Sequence, residues 1–200
     1  MPKVAYSKLE REQVREALIT TGLELMASQG IRHTAVEQVC KRVEISKTFF
    51  YSFFPAKEDL VLQVLYSQQP KLVAHAQRLM DALGWREGVK QFLHDCCYSR
   101  RSGFVILDVE EQQALYQCLS RENYQAFQER QANVFAEIWG IFGIRLSREK
   151  VKFFSNLGLS MMIVRQAIPD TLPLLFPEVA DEVASFQIDS IVDCLEKFKK

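Results

Sequence analysis

Between Thr34 and Lys57 the sequence gathers side chains that can grip an anionic polymer and read its edges. Thr34 and Ser46 each stand where a helix N-cap belongs, and a helix N-terminus offers partial positive charge and unpaired amides to a phosphate. Lys47, Thr48, Phe49, Tyr51 and Ser52 follow directly. They supply one cation, three hydroxyls suited to phosphate oxygens, and a phenyl ring that cannot hydrogen-bond a base but can press on a thymine methyl. Lys57 comes at the expected start of the next helix, placed to reach a nucleic-acid backbone from the far side. Residues 1–60 hold nine basic and eight acidic side chains, but the window 32–57 holds five against two, with His33 beside them. The whole chain balances 25 basic against 25 acidic residues. That neutrality does not exclude a nucleic-acid partner, because positive charge is needed only where phosphates approach.

A second group that could do chemistry is His94, Cys96 and Cys97. His94 and Cys97 share a helix face at i and i+3, compatible with two metal ligands, whereas adjacent cysteines on a helix point about 100° apart and do not bridge each other easily. No spacing nominates a third or fourth ligand, so neither metal nor cofactor is expected. A redox- or metal-responsive role for these three residues stays open beside simple burial. The five cysteines (Cys40, Cys96, Cys97, Cys118, Cys194) are odd in number and without a CxxC pair. With no secretory signal and no apolar run near the ~18 residues of a membrane span, a reducing cytoplasm is expected and a membrane partner is not. The chain shows no nucleophile elbow, phosphate loop, paired histidine ligands or histidine–acid motif, which argues against an enzyme.

Positioning these residues falls to helices. Periodicity is helical nearly throughout, and no alternating strand stands out. Val14, Ala17, Leu18, Thr21 and Leu25 mark one face of a helix over 8–28 that Gly30 closes. Thr34 with Glu37 reads as the capping box of a short helix ending near Val43. Ser46 opens a third helix through Phe53, and the run from Pro55 to Asp59 starts a fourth reaching about Leu79, with a break expected at Pro70. Five more segments follow over 85–100, 105–119, 121–142, 147–167 and 177–198, punctuated by Arg101–Gly103, Gly143 and Pro169–Pro177. The second and third helices are too short to stand alone. They must share a small core of Val36, Val39, Cys40, Ile45, Phe50 and Phe54 that holds the third helix outward. The expected fold is therefore all-α with about nine helices: a helix-turn-helix head over 1–60 and a helical bundle over 61–200.

The run TAVEQVCKRVEISKTFFYSFFPAKEDL, residues 34–60, resembles the signature of the TetR family of transcriptional regulators in both residue types and spacing. LELMASQG, residues 23–30, looks like that family's ending of helix one. The likeness covers a quarter of the chain. Two departures stand out. Val43-Glu44 replaces the family's usual Ala-Gly turn, placing a side chain where the left-handed conformation costs on the order of 1 kcal/mol. Phe49 replaces a small residue, which alters what the third helix can read.

The resemblance implies a sequence-specific DNA-binding regulator, a repressor released from a palindromic operator when a small molecule binds the C-terminal domain, acting as a homodimer. A helical scaffold that binds only protein is the alternative, with Lys47, Tyr51 and Lys57 incidental. For the effector, the aromatic candidates are Trp85, Phe92, Phe104, Tyr116, Tyr124, Phe127 and Trp139; the polar ones are His94, Asn156 and Arg165. For the dimer, Ala184, Ile188, Ile191 and Leu195 lie on one apolar stripe, Val179, Val183 and Phe186 on another. Ser155 and Gly158 would allow close helix approach. A four-helix interface, two helices from each protomer, is expected.

Overall fold

A computed structural model describes residues 7–98, 102–168, 172 and 175–199, with Cys118 described by its backbone. Eight helices run along them: α1 Lys8–Gln29, α2 Val36–Val43, α3 Lys47–Phe50, α4 Lys57–Cys97, α5 Val109–Cys118, α6 Arg121–Ile141, α7 Arg148–Ala167 and α8 Ala180–Glu196, the last preceded by a 3₁₀ turn at Pro177–Val179. Among the described residues there is no strand beyond an isolated antiparallel bridge between Ile144 and Lys199. Arg101, 169–171 and 173–174, which fall in the expected breaks, lie outside the described residues, as does the Cys118 side chain.

Local chemistry explains most boundaries. Ser7 caps α1 in a capping box, its hydroxyl accepting from the Glu10 amide at 3.2 Å while the Glu10 carboxylate accepts from the Ser7 amide at 2.7 Å. Gly30 ends the helix at φ 83°, its amide bonded to the Met26 carbonyl. Two expectations change here. The N-cap of α2 is Ala35, not Thr34, and the capping carboxamide belongs to Gln38, which accepts from the Ala35 amide at 2.8 Å, in place of Glu37. The break expected at Pro70 is not there. The backbone stays helical through Pro70 and leaves helical geometry at Gly84 (φ 74°, ψ −177°). Pro70 is exposed while Gln68 and Gln69 before it are buried and anchored. Losing one backbone bond on the solvent side is tolerated; only glycine takes the positive φ easily. The long helix is thus two axial segments, which reconciles eight helices with nine expected.

The segment before α5 was expected to be helical from 105. It is extended to Leu107, because Gln68 acts as a false strand: its carboxamide donates to the Val105 carbonyl at 2.9 Å and accepts from the Val105 amide at 2.8 Å. Asp108 then caps α5, accepting from the Glu111 amide at 2.8 Å.

Two buried clusters result. The first joins α1, α2, Phe50, Phe54 and the start of α4, and also takes in Val105, Leu107 and Leu115. The second joins the rest of α4 to α6, α7 and α8 around Phe92, Ile138, Trp139, Phe142 and Leu195. This corrects the expected dimer stripe. Ala184, Ile188, Ile191 and Leu195 are all buried inside the protomer. Gly158 is buried too and faces Leu93 and Met162 of its own chain, so the glycine brings α7 against α4. Ser155 is half-buried with its hydroxyl enclosed. The stripe that does reach the surface is the other one, Val179, Val183 and Phe186, joined by Phe153, Leu157 and Val164 of α7.

Candidate nucleic-acid interface

The turn between α2 and α3 is tight. Glu44 adopts the left-handed conformation at φ 57°, ψ 40°, as the missing glycine predicts, and its amide returns to Cys40 and Lys41. Ile45 donates to the Cys40 carbonyl at 3.0 Å. Ser46 caps α3, its hydroxyl accepting from the Phe49 amide at 3.1 Å. Phe50 and Phe54 are buried beneath, with Val36, Val39 and Cys40 beside them and Ile45 packed partly against them. The short helix is therefore set by packing on α1 and α4, with its outer face turned to solvent.

On that face Lys47, Thr48, Tyr51 and Ser52 are exposed. Tyr51 stands edge-on to Phe50 with ring centroids 5.3 Å apart, which stiffens the phenol while its surface remains half open. Lys47 pairs with Glu37 across the turn, and that partner holds its ammonium above the usual lysine range. Both side chains are exposed, and such a pair is weak enough to exchange for a phosphate. The Ser52 hydroxyl donates to the Phe49 carbonyl at 2.7 Å.

Three expected residues are used differently. Thr34 is fully buried: its hydroxyl donates to the Gly30 carbonyl at 2.8 Å and accepts from the Gln29 side chain at 3.3 Å, so it braces the loop instead of facing a phosphate. Lys57 turns inward and donates to the Ile31 carbonyl at 2.6 Å, and burial lowers its pKa. Phe49 is only half exposed, packing edge-on against Phe53 at 5.0 Å. Arg11 of α1 lies over both rings, 5.6 Å from the Phe49 centroid and 4.6 Å from that of Phe53. No pattern in the sequence marks Arg11, since only the tertiary fold brings it to Phe49. Arg11 supplies an exposed guanidinium beside the reading face that partly replaces the cation lost at Lys57.

A family model described as "Bacterial regulatory proteins, tetR family" matches residues 18–64, the segment that builds this face. Residues 18–64 therefore match the DNA-binding head of the TetR family. Curated relatives include the HTH-type transcriptional regulator YuxN of Bacillus subtilis, 39% identical over 54 residues, which is 27% of this chain and 19% of YuxN. TcmR of Streptomyces glaucescens is 39% identical over 61 residues, 30% of this chain and 26% of TcmR. The chain thus matches only about a fifth to a quarter of those relatives' length, all of it in the reading head. Solved structures carry the likeness across the fold. A TetR-family regulator from Pectobacterium atrosepticum superposes with a TM-score of 0.57 at 13% identity, covering 96% of this chain and 95% of its own. One from Streptomyces coelicolor gives 0.56 at 15%, covering 92% and 96%. RolR in complex with resorcinol gives 0.56 at 17%, covering 93% and 96%.

Beyond the head, the expected effector residues do not converge. Phe92 and Trp139 are core, and the Trp139 indole N–H is buried without a partner among the described residues. Trp85 is half-buried under the Lys199 ammonium at 4.9 Å. Tyr116 is exposed against Tyr124 at 4.8 Å, and Phe127 packs towards Tyr66 at 6.1 Å. Asn156 is exposed, and Arg165 is held by Asp181 and Tyr98. Phe104 lines a cavity of about 280 Å³ between the end of α1 and the segment leading to α5. The cysteines also separate from His94. That ring is exposed against Tyr98 at 4.6 Å, whereas Cys96 and Cys97 are buried, and burial raises both thiols, Cys97 to about 11. A reactive or metal-binding thiolate needs the opposite shift. Among the described residues no His, Cys, Asp and Glu group is placed to hold a metal, and no helix is long and apolar enough to cross a membrane.

Proposed function

We propose that this chain is a dimeric, sequence-specific DNA-binding repressor, acting in the cytoplasm and released from a palindromic operator by a small ligand of the helical body. The observation that carries the reading is α3 itself. A four-residue helix is fixed rigidly outward by Phe50 and Phe54, with Lys47 and Thr48 on its open face and Tyr51 and Ser52 exposed in the turn that follows. That is how a recognition helix enters the major groove, where base edges are distinguishable. Lys47, Tyr51 and Arg11 serve phosphates, and Thr48 with the edge of Phe49 serves bases. Ser46 contributes through the amides it leaves at the start of α3, and Ser52 holds the helix end. The resorcinol seen on RolR supports a small organic effector for this fold.

The exposed stripes of α7 and α8 supply the second copy. Phe153 is 54% exposed and Phe186 72%, too much apolar surface for water to cover at no cost. Two such helix pairs meeting about a two-fold axis form a four-helix interface and set two α3 helices for two half-sites. Selection of bound DNA from a random pool tests the whole reading. Recovery of a symmetric site of two half-sites is expected, with affinity falling steeply as salt rises. A pool that shows no enrichment, or an asymmetric single half-site, would contradict it.

A further inference from the structure

The cavity of about 280 Å³ has an unusual position: one wall is the reading head itself. Met26, Ile31 and Arg32 form that wall, while Phe104, Asp108 and Glu111 form the opposite one. A second cavity of about 210 Å³ shares Ile31, Arg32 and Glu111. The two spaces therefore flank a single clasp between head and body. In that clasp the Glu111 carboxylate accepts from the Arg32 amide at 3.2 Å and from the Asp108 amide at 3.0 Å. The Arg32 guanidinium pairs with Glu110 at 2.8 Å.

Charge around the cavity is uneven. Arg32 is already neutralised by Glu110, and Lys57 gives its ammonium to the Ile31 carbonyl. Asp108 and Glu111 are met instead by backbone amides. Two carboxylates thus face the space with no cation in ion-pair contact with either among the described residues, and the apolar side chains of Met26, Phe104 and Val105 share its lining. Burial raises the pKa of Glu111 and the charge of Asp108 adds to the shift, while Lys57 across the second cavity is within electrostatic reach but bonded elsewhere.

We infer that this junction is the effector site, and that its ligand is a small organic monocation, an amine or amidine on a flat apolar body, whose positive head pairs with Glu111 and Asp108. The inference rests on the repressor reading for its consequence, not for the site. A cation that recruits Glu111 competes with the Arg32 amide, and so frees the loop on which α2 and α3 depend. The size fits: the space lies at the small end of ligand pockets, and the apolar part of its lining accepts one ring. Ligand contacts that differ between clasped and unclasped forms are what a switch needs.

Calorimetry on the full chain with benzamidine and benzylamine, against benzoate and benzyl alcohol, tests this. The two cations are expected to bind and the anion and the alcohol to bind weakly or not at all. Glu111→Gln, which keeps an acceptor for the Arg32 amide but removes the charge, should weaken benzamidine about tenfold to a hundredfold. Ile163→Trp, which fills the cavity from α7 and leaves the clasp intact, should abolish binding; it decides the matter even if Glu111→Gln does not fold. Preference for benzoate, absence of binding by both cations, or affinity unchanged in the folded variants overturns the site. The two readings fail separately. A recovered operator with no cation binding removes this site and leaves the repressor; Glu111-dependent binding without any operator does the reverse.

Discussion

The reading head and the helical body use the same material, amphipathic helices around aromatic cores, yet they meet opposite demands. In the head, Phe50, Phe54 and Thr34 all serve to keep one short helix in one place, and Thr34, Ser46 and Ser52 bond backbone groups within a few residues of themselves. In the body, long helices carry the burial themselves, and polar groups are spent on joining elements: Gln68 to Val105, Arg86 to Asp193, Lys90 to Asp189. A surface that must match DNA constrains residue type at fixed spacing. A core that need only be filled accepts many solutions. The two regions nonetheless share α4, whose first turns lie in one cluster and whose remainder lies in the other.

That shared helix gives the strongest test of the comparison. Phe142→Ala in the body and Phe50→Ala in the head should each cost about 3–5 kcal/mol, since both rings are fully buried. If α4 couples the regions, urea unfolding followed by circular dichroism shows one transition shifted by either variant; two separated transitions would make head and body independent.

Next in size is the outward stripe. Val183→Glu with Phe186→Glu should leave helicity unchanged and convert a dimer to a monomer in light scattering, with operator affinity falling steeply because half the contacts are lost. Ile188→Glu, by contrast, should unfold the body, because it places a charge in its core. Were Ile188→Glu folded and monomeric while the double variant stayed dimeric, the interface would have to use the buried stripe after all.

Smaller effects separate positioning from contact. Gln68→Leu orphans the amide and carbonyl of Val105, which should cost about 1–3 kcal/mol of stability in the same urea experiment. Tyr51→Phe should lose about 1.5–3 kcal/mol of DNA affinity at fixed salt with no loss of stability, as only an exposed hydroxyl is removed. An unchanged dissociation constant would take Tyr51 off the phosphate list. The smallest effect is expected at Glu44→Gly, which relieves left-handed strain and should stabilise the head by about 1 kcal/mol or less, leaving operator affinity as it was.

How far each region could be read in the sequence follows the same division. The helix-turn-helix was legible because its constraints are local: Ser46 caps α3 within its own turn, Glu44 occupies the αL position that its neighbours impose, and Gly30 stops α1. Where the helix pattern misled, a contact outside it had intervened. Thr34 looked like a cap and became a buried brace, because Gln29 and Gly30 reach it first. Lys57 looked outward until the Ile31 carbonyl was brought beside it. The expected helix start at 105 gave way to the side chain of Gln68.

By itself, the sequence determined an all-α chain, the helix-turn-helix and its outward α3, since period, caps and turn residues act within a few positions and leave little choice of conformation. It also determined that the last helices carry two apolar stripes. Which stripe would be buried was decided only by tertiary structure. A stripe of Ile and Leu and one of Val and Phe are equally apolar on paper, and the choice depends on which one α4 and α7 can reach. The clasp of Glu111 on Arg32, and the cavity beside it, were likewise beyond sequence reading. Arg32 and Glu111 stand 79 residues apart in sequence, and their contact depends on how whole helices pack, not on neighbours along the chain.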